Sequence, residues 1–590
     1  MMTLFKKPHL LYLLTIIVIG GLLRFYGINW DQAHHLHPDE RAIVMFATPI
    51  EFPKSFDEFL SPSSPLNPHF FAYGNFPLYL LKAVASFLAN FDPLYISYEK
   101  INLVGRAISA IADIGTIFVV FILTKKLMNQ TAGLIASFFY AISVFPIQAA
   151  HFYAVDTLLT FFILLTLYQL LRFYEKPSFP NAILVGVFFG LSLVTKISAI
   201  PLIIAILVAI TVDFILIFIK QPHKPHIWFP HIPRFLKRLI FDGITIAVAT
   251  IITFVILQPY AIIDFQEFWR QSMQQRQMTY DAFTFPYTLQ YVGKIPYFHE
   301  LKNVFLWGQG PLLATLSLLG IVYISFSSIR KHLGWWRSND FDSSEVDRKW
   351  NQKLILLVFL FTYFFIVGKF AVGWMRYMLP LYPLFCLFAA IFAVNLINPK
   401  LKSFIKNKSI LNTLYLILYT SVMLWTLSFM NIYTKPNTRV LASNWINQNL
   451  PNGKTLAIEH WDDGLPLFGG EKYNIISLPL YDPDTQEKWG GISQKLETTD
   501  YIIVASNRLY VPLQKLTNCN NLPSGRCYAQ TADYYERLFN SELGFKKVAE
   551  FAIYPTIPLL NIPINDQGAD ESFTVYDHPK VMIFKREISY

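Results

Sequence analysis

The chain has 590 residues, 54% of them hydrophobic and only 15% charged, with a net charge of +10. Soluble domains carry about 25% charged residues, so this composition excludes a purely soluble protein. It also argues against nucleic acid as the partner of the positive charge. Lys and Arg concentrate in short loops between apolar runs, which is the positive-inside pattern of a membrane protein.

Residues 10–26 form the first apolar run, behind Lys6 and Lys7. No small-x-small cleavage site precedes Arg24, so the run reads as an uncleaved first span. A polar, Pro-rich loop follows over 29–75 and holds His37-Pro38-Asp39-Glu40-Arg41. Pro followed by two acids is a common helix start, with the acids on the positive end of the helix dipole. Residues 76–91 are apolar but short, contain Lys82 and end at Asp92. That length suits an interfacial or re-entrant helix better than a span.

Ten further spans are expected at 102–123, 132–150, 157–173, 182–194, 199–219, 240–257, 310–326, 354–367, 377–396 and 411–430. With eleven alternating spans every strongly basic loop falls on the cytoplasmic side. Counting 76–91 as a twelfth inverts that. The N-terminus is therefore expected in the cytoplasm of a multi-pass plasma-membrane protein, with loop 29–100 and the C-terminus outside. From 431 to 590 the usage is that of an ordinary globular domain. Helices are expected at 439–449, 486–497 and 534–539, and strands at 455–459, 473–480, 501–505, 546–554, 572–576 and 581–585. The expected fold class is a polytopic α-helical membrane protein, residues 1–430, with a C-terminal extracytoplasmic α/β domain, 431–590. Cys386 reads as a small core residue. Cys519 and Cys527 flank a turn-rich stretch, and both a local disulfide and two free thiols remain open.

An ionisable side chain within a span costs about 2.5 to 3.5 kcal/mol on insertion scales, so each needs a reason. Arg106 and Asp113 stand seven apart on one helical face and could neutralise each other. Asp156 heads the fourth span, where it could be a dipole partner only. Lys196 and Arg376 lie at span ends on the outer side, where snorkelling to headgroups would account for them. Together the outer boundary gathers the acids Asp39, Glu40 and Asp156 and the bases Arg24, Arg106, Lys196 and Arg376. Such a set could transfer a sugar from a lipid phosphate. A carboxylate takes the acceptor hydroxyl proton, and cations stabilise the departing phosphate.

The ordered set of motifs resembles the GT-C class of integral-membrane glycosyltransferases. It is most similar to the protein O-mannosyltransferase-like family, glycosyltransferase family 39, with its bacterial phospholipid-carrier-dependent relatives. The matching residues are Arg24, His37-Pro38-Asp39-Glu40, Arg106, Asp156, Gly190 to Lys196, and Arg376-Tyr377-Met378-Leu379-Pro380. The resemblance implies Asp39 as general base with Glu40 beside it and Asp156 as a third catalytic acid. It implies a donor site of Arg24, Arg106, Lys196, Arg376 and Tyr377. It further implies a polyprenyl-phosphate sugar donor, inversion, and a protein, lipid or glycan acceptor hydroxyl. A divalent metal, Mg or Mn, between the outer carboxylates is the one cofactor it leaves open. His34, His35 and His37 are read as bystanders rather than zinc ligands. Two other classes compete: a transporter or flippase, which would show inverted repeats and mid-bilayer charges, and a non-catalytic assembly protein.

Overall fold

The computed structural model describes residues 8–220, 229–337, 344–397 and 408–587. Each of the eleven expected spans falls on helix. Eight helices are long and apolar enough to cross a membrane among the described residues searched. The bent pair Gln130–Ala141 and Val144–Ala150, the 17-residue helix Phe179–Thr195 and the 23-residue helix Lys408–Met430 occupy the other three expected positions. The protein is a multi-pass membrane protein with a mixed-sheet domain behind its last span.

Two expected spans are not single α-helices. Residues 132–150 break into two helices at an angle of 59°. Pro146 has no N–H to give to the Ile142 carbonyl, and its ring clashes there. In hydrocarbon the carbonyls freed at such a break must find donors. Arg24 donates from Nη1 to Ala141 O at 2.9 Å. The Thr426 hydroxyl donates to Ile142 O. Residues 375–381 form a 3-10 turn containing Pro380, and the α-helix Tyr382–Phe392 begins only after it.

Helix Phe179–Thr195 packs closely on Gly243–Leu257 through Gly186 and Gly190, a small-xxx-small face. A Cβ at Gly186 would stand 2.5 Å from Ile246 O, and one at Gly190 2.7 Å from Thr253 Cβ. The segment expected to be interfacial is the helix Asn75–Leu88. It buries Leu78, Leu81 and Ala85 against the Pro38–Ala47 and Ile101–Leu127 helices and leaves Phe87 exposed.

The C-terminal domain has a five-stranded sheet in the order β2-β1-β3-β7-β4: β1 Thr455–Glu459, β2 Asn474–Leu478, β3 Tyr501–Val504, β4 Phe545–Phe551 and β7 Val581–Arg586. Strands β2, β1 and β3 run parallel; β7 is antiparallel to both β3 and β4. A two-stranded hairpin, β5 Thr556–Ile557 with β6 Ile562–Pro563, stands apart. Helix Thr438–Asn449 covers one face of the sheet, and Gln486–Thr498 with Ala529–Phe539 the other. This explains why Tyr501–Val504 is buried throughout rather than alternating. Residues 572–576, expected as a strand, instead form the short helix Glu571–Thr574 and a turn. Asp570 caps that helix, and Phe573 is drawn into the membrane-domain core beside Phe429 and Trp307. Cys519 and Cys527 are disulfide-bonded, and Cys386 is a buried free thiol.

Candidate active site

His37-Pro38-Asp39-Glu40 starts a helix, as the local chemistry requires. His37 is the N-cap, and its Nδ1 accepts from the Glu40 N–H at 3.4 Å. Burial pushes the His37 imidazole down to about 3, so it is neutral and able to accept. Successive residues of this first turn point in different directions, and that separates their roles.

Glu40 turns inward and is completely buried. Arg106 grips it from two sides, Nε to Oε2 at 2.9 Å and Nη2 to Oε1 at 2.6 Å. The same guanidinium holds Asp31 at 2.9 and 2.7 Å and lies 4.8 Å from the Trp30 ring. The Tyr153 N–H donates to Glu40 Oε2 at 3.0 Å. Burial raises both carboxyls. Arg106 outweighs it at Asp31, which ends below the usual range, and not at Glu40, which ends above it. Arg24 is also fully buried, with Nε 2.6 Å from Asp113 Oδ2. Arg106 and Asp113 therefore do not neutralise each other. Seven residues of helix rise about 10 Å, beyond ion-pair reach. Neither Arg24, Arg106 nor Glu40 lines the cavity described next.

Asp39 faces outward into a cavity of about 480 Å³ between the membrane domain and the C-terminal domain. Its floor carries Asp39, Tyr73, Lys196, Arg376 and Tyr377. Asp39 pairs with Arg376 through Oδ2 and Nη1. Lys196 Nζ donates to Asp156 Oδ1 at 2.7 Å. Arg376 Nε lies 3.8 Å from Asp156 Oδ2, and neither of those two atoms has a hydrogen-bond partner. Lys196 sits 4.9 Å from the Tyr377 ring and 5.5 Å from Tyr73; Arg376 sits 5.1 Å from Trp374. Cations held against aromatic faces gain stabilisation where water is scarce. Burial pushes the Asp39 carboxyl up, but Arg376, Tyr73 and Lys196 outweigh it and hold it below the usual carboxylate range.

The four charged groups Asp39, Asp156, Lys196 and Arg376 sit where a helix begins or ends. Lys196 is the C-cap of Phe179–Thr195, in extended backbone. Asp156 opens its helix directly after Val155, a buried β-branched residue at φ 59°. That conformation is strained for such a residue, and strain of this kind gathers at functional sites.

The roof comes from the C-terminal domain: Trp461, Asp462, Asp463, Arg508, Glu571 and Tyr576. Trp461 to Asp463 follow the carboxyl end of β1, and Arg508 follows that of β3, the edge where open α/β sheets place ligands. Arg508 Nε donates to Glu571 at 2.8 Å. Burial pushes the Glu571 carboxyl up to about 7 against that pairing. Arg41, one residue past Glu40, reaches Asp463 at 2.9 Å and ties the Pro38–Ala47 helix to the roof. Tyr576 packs 4.1 Å from the His37 ring. Of these roof residues only Tyr576 lies in a stretch that the sequence singles out, Ser572 to Lys580, which resembles the tail of some bacterial members of the family named above without any chemistry attached to it; the others, and Tyr73 on the floor, did not stand out. The available signal was polar residues directly after two parallel strands.

Each carboxylate is occupied by a cation, and the Arg376 guanidinium bridges Asp39 and Asp156. No cluster of three His, Cys, Asp or Glu able to hold a metal occurs among the described residues. His34, His35 and His37 point apart, toward Phe468, Tyr98, and the Phe152–Tyr576 pair.

The family model for dolichyl-phosphate-mannose-protein mannosyltransferase matches residues 98–232. No curated protein matches the chain significantly. Among solved structures, the apo oligosaccharyltransferase of Archaeoglobus fulgidus is similar at 14% identity and a TM-score of 0.50, over 95% of this chain and 76% of that one. The oligosaccharyltransferase AglB of the same organism, in complex with an inhibitory peptide and a dolichol-phosphate, gives 14% and 0.49 over 99% and 89%. ArnT of Cupriavidus metallidurans, bound to undecaprenyl phosphate, gives 13% and 0.48 over 87% and 95%. The family-model match covers residues 98–232, less than a quarter of the chain, and the likeness to the apo oligosaccharyltransferase is one of fold.

Proposed function

We propose that the protein transfers a sugar, with inversion, from a polyprenyl-phosphate donor to an acceptor hydroxyl on the extracytoplasmic face of the membrane. The observation that carries this reading is the cavity floor: one outward-facing carboxylate, Asp39, beside two cations, Lys196 and Arg376, at helix termini. The family-model match supports it, because residues 98–232 include Asp156 and Lys196.

In the proposed step the acceptor oxygen attacks the anomeric carbon while its proton passes to Asp39. The bond from that carbon to the phosphate oxygen breaks, and the electron pair stays on the phosphate. Lys196 and Arg376 hold the developing charge, with Tyr377 packed against both. Asp156 positions the cations rather than the proton, since Lys196 occupies its Oδ1. Glu40, Arg106 and Arg24 act as scaffold. They hold the first turn of the Pro38–Ala47 helix and the broken span in place.

The test is release of polyprenyl phosphate by purified protein given a polyprenyl-phosphate sugar and candidate acceptors. Asp39→Asn should abolish it, and Lys196→Ala or Arg376→Ala should weaken it strongly. Full turnover in Asp39→Asn would remove the assignment of the base.

A further inference from the structure

The β5–β6 hairpin stands outside everything described so far. Between Glu550 and Asp566 the sequence has no charged residue, and the hairpin tip reads Ile557-Pro558-Leu559-Leu560-Asn561-Ile562-Pro563. A soluble domain normally hides such a stretch. Here it is presented outward: Leu559 is 98% exposed, Leu560 66% and Ile562 50%. The tip is a defined structure. Ile557 pairs with Ile562, and the Asn561 N–H donates to Ile557 O at 3.0 Å. Leu559 and Asn561 adopt φ of 68° and 53°, so the backbone accepts left-handed conformation, costly for Leu, in order to turn there.

The location identifies the partner. Strand β5 packs against the Lys408–Met430 helix. Ile553, just before it, is buried in the same apolar core as Phe429 and Met430, the last residues of that helix. The domain begins where this helix leaves the membrane, so the hairpin stands at the membrane boundary. In its last two turns the helix exposes Leu424 and Leu427 as a lipid-facing surface.

We infer that the β5–β6 hairpin is a membrane anchor. Its Leu559-Leu560 tip inserts into the acyl region of the bilayer beside the Lys408–Met430 helix and so pins the C-terminal domain over the cavity. Two exposed leucines and an isoleucine without a nearby charge are what the interface between headgroups and acyl chains accepts. Two prolines in the tip lower the entropy lost on docking.

The test uses the full-length protein in phosphatidylcholine bilayers, with a nitroxide on Leu559→Cys, Leu560→Cys or, as a charged control, Lys546→Cys. Cys386 is buried, and the other two cysteines are paired. Dissolved oxygen should relax the labels at 559 and 560 several-fold more than a water-soluble nickel chelate does, with the order reversed at 546. Labels at 559 and 560 that the chelate reaches as freely as 546 would place the hairpin in water and overturn the inference. Labels shielded from both reagents would overturn it too, because they would mean a protein partner. Neither result bears on the proposed transfer reaction.

Discussion

Glu40 stands beside the proposed base, yet its geometry predicts a role opposite to that of Asp39. It is sealed in a triad with Arg106 and Asp31 and does not line the cavity. Consider Glu40→Gln. The side chain keeps its shape and one oxygen for the Tyr153 N–H or for Arg106. Asp31 still neutralises the guanidinium, so no buried charge is left alone. The loss is one charge-assisted pair, about 1 to 3 kcal/mol. Arg106→Met is a different perturbation. It leaves Asp31 and Glu40 buried side by side without a cation and removes the stack on Trp30. Removing one partner of a buried pair costs about 3 to 5 kcal/mol. Melting of the detergent-solubilised protein should therefore fall modestly for Glu40→Gln and severely for Arg106→Met. Turnover of Glu40→Gln, measured well below its melting temperature, should stay within a few-fold of the parent. If Glu40→Gln melts like the parent but loses transfer, the scaffold assignment is refuted and Glu40 belongs to the chemistry.

Other outcomes follow from the same geometry. Asp39→Asn should lose transfer with only a modest fall in melting temperature, because the amide oxygen can still accept from the largely buried Arg376 that loses its paired anion. Glu459 is buried with Oε1 on the Tyr535 hydroxyl, and burial pushes its carboxyl up to about 8. A folded carboxyl raised above its unfolded value contributes stability that fades as pH rises from the unfolded to the folded value. Between pH 6 and 8 the loss is about 2 kcal/mol. Melting temperature should fall over that range in the parent and much less in Glu459→Gln. We further propose that the roof holds the acceptor, since the donor-binding cations are all on the floor; Trp461→Ala should then raise the KM for acceptor and leave that for donor unchanged, and an equal rise in both would count against it.

The spans were legible because hydrocarbon imposes long apolar runs whatever the tertiary structure. The gathering of Asp39, Lys196 and Arg376 at one cavity was legible because charges without a partner inside the helix bundle are tolerated best at span ends. Pairing among buried charges was not. Arg106 and Asp113 share a face but belong to partners on other elements, Asp31 with Glu40 and Arg24, which no spacing rule within one helix can identify. The break at 142–143 was written in Pro146, but it could only be read by asking which carbonyl the ring disturbs. Ser572-Phe573-Thr574-Val575-Tyr576 has strand composition and still forms a helical turn. The Asp570 cap and the burial of Phe573 among the membrane helices outweigh β-propensity. The roof as a unit was not legible, although Tyr576 lies in the Ser572–Lys580 stretch that stood out, because its residues come from three distant loops that only the sheet topology unites.

Arg376 links the donor to the base. As the structure stands, it pairs with Asp39 and lies near Asp156, and it keeps the Asp39 carboxyl below the usual range. A carboxylate so stabilised is a poor base. On the proposed reading the donor phosphate enters between Lys196 and Arg376 and competes for the guanidinium. Whatever share of the guanidinium the phosphate takes is lost to Asp39, whose affinity for a proton must then rise. The base is thus weak without donor and stronger with it, which disfavours proton uptake before the sugar is in place. The pH profiles separate the two states, since kcat/KM reports groups of the free enzyme and kcat those of the complex. The acid limb of kcat should lie at higher pH than that of kcat/KM for donor. In Arg376→Gln the two limbs should converge at the higher value. Coincident limbs in the parent enzyme would mean that Arg376 never leaves Asp39, and the coupling of donor binding to base strength would fall.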